Sequence, residues 1–158
     1  MVGAGQLESE LLGNGRAIAA LFASEGAEVC VVDNVESRAK STVELITDGG
    51  GRAHVVVADV SAADECAQII DDARSVMGRI DVLVNNVGVN SGDATPLDLD
   101  EGTWARILDV NLRSMWLTSR AVVPHMQEQG GGVITNISSI GSKPVRAGSS
   151  PMPCRRRA

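Results

Sequence analysis

The sequence predicts a single α/β domain built on a parallel sheet wound with helices on both faces. Three observations predict it. Short runs of valine and other β-branched residues alternate with longer segments whose apolar residues recur at helical spacing. The valine runs are continuously apolar rather than alternating, which marks strands buried on both faces. Each run is followed by a helical segment, the arrangement that right-handed parallel crossovers require.

The elements follow in order. Residues 13–33, "GNGRAIAALFASEGAEVCVVD", read as a glycine-rich turn, an amphipathic helix, a strand over 27–33 and a terminal acid. A helix over 35–50 is stopped by glycines, and "RAHVVVADV" (52–60) forms the next strand. The helix over 61–78 is expected to start on a serine cap and to end at Gly78. "RIDVLVNNVG" (79–88) is a strand running into a polar turn. One long helix is expected over 101–129, with Pro124 near its end, and a fourth strand over 131–139. In such sheets ligands bind at the carboxyl ends of the strands. The polar clusters lie there: Asp33, "ADV" (58–60), "NNVG" (85–88) and "NISS" (136–139).

Composition narrows the function classes. A net charge of −6 argues against a nucleic-acid surface. No apolar run approaches a membrane span and no signal peptide opens the chain, so no membrane partner and a cytoplasmic setting are expected. Cys30, Cys66 and Cys154 are odd in number and share no metal-ligand spacing, which predicts reduced thiols and no metal. His54 and His125 have no ligand partners at useful spacing and read as a strand residue and a surface helix residue. Trp104 and Trp116 read as packing residues of the long helix.

The glycine turn carries the chemistry. Glycines let backbone amides approach a diphosphate at a helix N-terminus, and an acid at the end of the next strand holds ribose hydroxyls. Asp33 stands at that place and would repel a 2′-phosphate, so NAD is expected over NADP. With Gly3-Ala4-Gly5, Gly13-x-Gly15, Asp33, Asp59-Val60, "NNVG", Asn111 and "NISS" in that order, the chain resembles the short-chain dehydrogenase/reductase family to about residue 140. The resemblance implies a Rossmann-like doubly wound parallel sheet over 1–140 that binds NAD(P). It implies that Gly3, Gly13 and Gly15, with Asn14 between the last two, line the diphosphate. Asp59 and Val60 would border the adenine, and Asn86 and Gly88 would lie along the cofactor. Asn111 and Ser139 would be polar members of the catalytic group. The implied substrate is a small secondary alcohol or ketone, and the 101–129 helix would form homo-oligomer contacts.

Two departures from the family pattern stand out. Only Met1 and Val2 remain of its first strand, which leaves two neighbouring strands to be served by some substitute. "QLESELL" (6–12) is inserted between the glycines, bringing Glu8 and Glu10 toward the diphosphate. The sheet is therefore expected to be incomplete, with the first strand and the last two strands largely missing.

The family's acid/base is a tyrosine assisted by a lysine four residues on. Their expected positions hold Met152 and Arg156, and the chain contains no tyrosine. The 141–158 tail reads as aberrant. Reading one base earlier through the codons for Met152 to Arg156 yields Tyr-Ala-x-Ser-Lys for suitable codon choices, so an out-of-frame tail is one account of it. The expected activity is NAD(P)-dependent interconversion of a secondary alcohol and a ketone, impaired for want of that pair. The alternative is a non-catalytic nucleotide-binding remnant or an unstable truncated product.

Overall fold

The computed structural model describes residues 1–5 and 11–139. Four strands and five helices occur in them: α1 (Asn14–Ser24), β1 (Glu28–Asp33), α2 (Glu36–Asp48), β2 (Arg52–Val57), α3 (Ala63–Met77), β3 (Val82–Asn85), α4 (Glu101–Leu108), α5 (Ser114–Glu128) and β4 (Val133–Asn136). A π-helical segment, Asp109–Arg113, joins α4 to α5.

All pairing is parallel. β1 pairs with β2 in the register Glu28 to Arg52, and β3 pairs with β4 in the register Val82 to Val133. Val2 lies between the two pairs and bridges Val32 on one side and Asn85 on the other. Its N–H donates to the Val84 carbonyl at 2.9 Å, and its own carbonyl accepts from Asn86 N at 3.0 Å. Val32 N donates to Met1 O at 3.0 Å, and Gly3 N to Val32 O at 2.9 Å. The spatial order is thus β2, β1, Val2, β3, β4. Met1 and Val2 occupy the carboxyl-side end of the space between β1 and β3, and among the described residues no named strand lies between those two.

The sheet separates two cores, which is what winding on both faces means physically. Val29 and Val31 of β1 pack with Ala19, Ala23, Ala39 and Ile46 of α1 and α2. Cys30 and Val32, pointing the opposite way, pack with Ile69, Ile70 and Ala73 of α3 and Val122 and Met126 of α5. Each fully buried aliphatic side chain contributes about 1.5–3 kcal/mol from apolar burial.

Several sequence expectations need correction. Ser61 does not cap α3: the N-cap is Ala62, which has no side-chain cap bond. The Ser61 N–H instead donates to Asp59 Oδ1 at 2.9 Å, and Glu65 reaches back from the first turn to accept from Asp59 N at 2.6 Å. The helix start is favoured by Asp64 and Glu65 beside its positive end. The long helix is also not uniform, because the π turn interrupts it at 109–113.

Trp104 and Trp116, read as packing residues of the long helix, are 43% and 57% exposed. Ile107, Val110, Ser114, Thr118, Val122 and Met126 occupy the inward stripe of the helix instead. Trp116 stacks under Arg120, whose guanidinium lies 5.5 Å from the ring centre. His54 is on β2 as expected, paired with Glu28 at 2.7 Å. His125 is half-buried rather than on the surface, with Arg74 Nη1 at 3.5 Å from its Nε2. No described helix is long and apolar enough to cross a membrane.

Candidate functional site

The carboxyl ends of β1, β2 and β3, the stub and the head of α1 converge on one place. Close main-chain approach makes this possible. Gly3 has φ +78°, and a Cβ there would stand 2.7 Å from Val87 Cγ2. A Cβ on Gly15 would run into the Gly3 carbonyl and lie 2.6 Å from Asn86 Nδ2. That same Asn86 amide donates to Gly3 O at 2.8 Å. Gly5 lies directly against the Asp33 carboxylate, and Asp33 Oδ1 accepts from Val35 N at 3.0 Å. Buried Thr42 donates to Ala4 O at 2.8 Å and pins the stub from α2.

The result is a cleft of about 470 Å³ lined by Gly3, Asp33, Asp59, Val60, Asn86 and Gly88, all of them sequence-predicted cofactor residues. Gly13, Asn14 and Gly15 are not in its lining. They head α1, with Gly15 packed on Gly3 and Asn86. The α1 N-cap is Gly13 with φ −67° and ψ 148°, no side chain caps it, and no acid lies in the first turn. Such a helix start presents amide donors and a partial positive charge to an anion. A diphosphate therefore fits the chemistry of the glycine cradle, and ribose hydroxyls fit the Asp33 wall.

The catalytic candidates are placed differently. Asn111 sits in the π segment, where Nδ2 donates to Val89 O at 2.8 Å and Oδ1 accepts from Val89 N at 2.7 Å. It splints the turn after β3 to the helix. Ser139 lies beyond the end of β4 on an exposed stretch and does not line the cleft. Met152, Arg156, the 141–158 tail, Cys154 and the glutamates of the 6–12 insertion lie outside the described residues. Among the described residues no cluster of three potential metal ligands occurs.

The structure adds residues that the sequence reading missed. Arg38 and Arg106 also line the cleft, and Arg106 Nη2 donates to Ser91 O. Arg38 lies one turn into a helix whose start the acid already marks, a signal the sequence did contain. Beneath the site runs a polar chain, buried at Thr118 and Asn85 and reaching exposed Asn136. Thr118 Oγ1 donates to Asn85 Oδ1 at 2.9 Å, and Asn85 Nδ2 to Asn136 Oδ1 at 2.9 Å. It locks β3 to β4 and to α5.

Parallel strands in two wound pairs, with a glycine-lined cleft at their carboxyl ends and an acid in its wall, define a Rossmann-like α/β protein. The chain belongs to the short-chain dehydrogenase family, whose model matches residues 11–151. It is 40% identical over 131 residues to the short-chain reductase protein NovJ of Streptomyces niveus, covering 83% of this chain and 50% of that protein.

Two solved structures show the likeness in three dimensions. The first is a 7α-hydroxysteroid dehydrogenase complexed with NADH and 7-oxo glycochenodeoxycholic acid, at TM-score 0.83 and 34% identity, covering 92% of this chain and 54% of that one. The second is a metagenomic short-chain oxidoreductase in complex with NADP, at TM-score 0.82 and 34% identity, covering 94% and 65%. The chain spans about half the length of the curated relatives it matches.

Proposed function

We propose that this chain binds a nicotinamide dinucleotide in the cleft, NAD in preference to NADP. We further propose that it represents the cofactor-binding part of an oxidoreductase interconverting a secondary alcohol and a ketone, in a cytoplasmic setting. The observation that carries this is the cleft at the carboxyl ends of the strands, where Gly3, Asn86 and Gly88 stand with the Asp33 carboxylate and Gly15 packs behind Gly3 and Asn86.

In this reading Gly3, Gly13, Asn14 and Gly15 hold the diphosphate, and Asp33 accepts from the adenosine ribose hydroxyls. Asp59 and Val60 border the adenine, while Asn86 and Gly88 run along the dinucleotide toward Asn111 and Ser139. When bound, the cofactor supplies hydride transfer. Ser139 would donate a hydrogen bond to the substrate oxygen. Asn111 holds the Val89 turn from which the reacting end is approached. Proton transfer is the weak step. An unassisted phenol near pKa 10 already costs roughly 4 kcal/mol to ionise at neutrality, and the chain has no tyrosine at all. Cofactor binding without efficient turnover is the expected behaviour.

Titration of the purified chain with NADH and NADPH, followed by nicotinamide fluorescence, tests the reading. Saturable binding with NADH at least tenfold tighter is expected. Asp33→Ala should narrow that ratio toward NADPH, because it removes the repelling acid and leaves Arg38 in the same cleft. No saturable binding by a cooperatively melting chain overturns the proposal. The missing tyrosine favours a second reading, a binding module with no turnover. The double substitution Met152→Tyr with Arg156→Lys separates the two, since dehydrogenase activity in that variant supports the oxidoreductase reading and its absence the second. The exposed Trp104, Leu112 and Trp116 support pairing of two copies through the long helix, which light scattering of Trp116→Lys against the parent would test.

A further inference from the structure

Asp59 reaches the cleft from an exposed position between buried Ala58 and Val60. A carboxylate placed so is aimed by hydrogen bonds rather than by packing. Unless something holds it beforehand, a ligand must order it on binding. Its neighbours do hold it. Asp59 N donates to Glu65 Oε2 at 2.6 Å, and the Asp59 carbonyl accepts from Ala62 N at 3.0 Å. Oδ1 accepts from Ser61 N at 2.9 Å, which fixes the rotation of the carboxylate. Among the described residues no donor reaches Oδ2, so that oxygen is open to a ligand.

The Glu65 bond is the unusual one. Glu65 is the third helical residue after the Ala62 cap of α3. A glutamate there ordinarily turns back to the amide of its own cap residue. Here the Ala62 amide already serves the Asp59 carbonyl, and Glu65 reaches three residues further out, to Asp59 itself. Cys66 does the same for the next residue, its Sγ donating to Val60 O at 3.3 Å. Consecutive side chains of the first turn of α3 thus grip Asp59 and Val60.

We propose that Glu65 is a positioning residue for base recognition: by holding the Asp59 amide it aims Oδ2 at the exocyclic amino group of adenine. The inference rests on the proposed placement of the adenine beside Asp59 and Val60. A carboxylate accepts from an amino group and repels a carbonyl oxygen. The aimed Asp59 therefore selects adenine over hypoxanthine, which carries oxygen at that position. Glu65 touches no ligand, because its carboxylate is engaged by the Asp59 main chain. Without it the Asp59 turn is free to rotate, and the selectivity falls.

The test compares NADH with reduced nicotinamide hypoxanthine dinucleotide by fluorescence titration of the full chain. The parent should bind NADH about fivefold tighter or more, the worth of one hydrogen bond. Glu65→Ala should shrink that preference by about threefold or more, and Glu65→Gln, which keeps an acceptor oxygen, should restore it. Glu65→Asp keeps the charge that favours the helix start but is too short to reach Asp59 N, so it should lose the preference while folding like the parent. Asp64→Ala removes the other first-turn acid and should lower Tm with the preference unchanged. Asp59→Asn tests the placement beneath the inference: its amide can turn a donor to the hypoxanthine oxygen, so the preference should vanish. If it vanishes there but survives in Glu65→Asp and Glu65→Ala, the positioning role is overturned and the adenine placement stands. If Asp59→Asn changes nothing, or the parent shows no preference, adenine does not lie at Asp59 and the inference falls with that placement. Absence of saturable NADH binding overturns the cleft reading itself, and the inference with it.

Discussion

Gly15→Ala bears most directly on how the cleft is built. The added methyl would stand 2.6 Å from Asn86 Nδ2 and closer still to the Gly3 carbonyl, whereas ordinary contact begins near 3.4 Å. Relieving the Asn86 contact needs a retreat of about 0.8 Å, and relieving the closer Gly3 contact needs α1 and the Gly3 main chain to part by more than that. Neither neighbour is the free end of a flexible side chain: one is main chain, and the other is an amide fixed by its bond to Gly3. Overpacking of this kind costs typically about 1–3 kcal/mol, and loss of the Asn86–Gly3 hydrogen bond adds about 1 kcal/mol. For a domain of this size each kcal/mol moves Tm by roughly 2–4 °C, so a fall of roughly 4–16 °C is expected by calorimetry.

In the proposed binding mode the same displacement would pull the α1 amides from the diphosphate. NADH affinity should therefore drop at least tenfold in the fluorescence titration. Gly50→Ala is the control. Its φ of +81° strains any side chain, but its Cβ would meet nothing within 4 Å. It should lose about 1–2 kcal/mol while keeping the parent affinity for NADH. If Gly15→Ala melts and binds NADH like the parent, the close approach of α1 to Gly3 and Asn86 is not what shapes the site.

Three further predictions follow from the packing. Thr118→Val strips the donor from buried Asn85 Oδ1 with little change of shape, and should cost about 1–3 kcal/mol in urea denaturation; Thr118→Ser should recover most of it. Cys30 and Cys66 are buried, and burial pushes both thiols up from their ordinary pKa. Peptide mapping after iodoacetamide at pH 8 should find both unmodified in the native chain and modified in urea. Asp100 caps α4 by accepting from Thr103 N, and that bond holds its carboxyl below the usual range. Its contribution is complete above the unfolded value of 3.8 and is lost as pH falls through the lower folded value. Asp100→Asn should therefore melt below the parent at pH 7 and converge with it in stronger acid.

The strands were legible because continuous valine runs have few other uses, and their order of appearance located the cleft. Asp33, Asp59, Val60, Asn86 and Gly88 were singled out at strand ends with the help of the family resemblance, and all five line the cleft. Other features left no periodic trace. Val2 joins two strand pairs through a single bridged residue, and no sequence window is short enough to register that. The π turn depends on hydrogen bonding five residues apart, and it is where Asn111 meets Val89. The Thr118–Asn85–Asn136 chain joins residues from three elements and exists only after folding. Ser61 looked like a cap because its type is right for one, but Asp59 engages its amide first.

β1 has apolar neighbours on both of its faces, and this gives Asp33 a second task. A strand with one wet face cannot slide by one place without drowning its oily side chains. Here a slide would merely trade Val29 and Val31 for Cys30 and Val32, one greasy set for another, with little resistance from either compartment. What pins the strand lengthwise is its charged tip, wedged against Gly5 and tethered to the amide of Val35. The acid that would recognise a sugar thus also tells the chain where this strand stops.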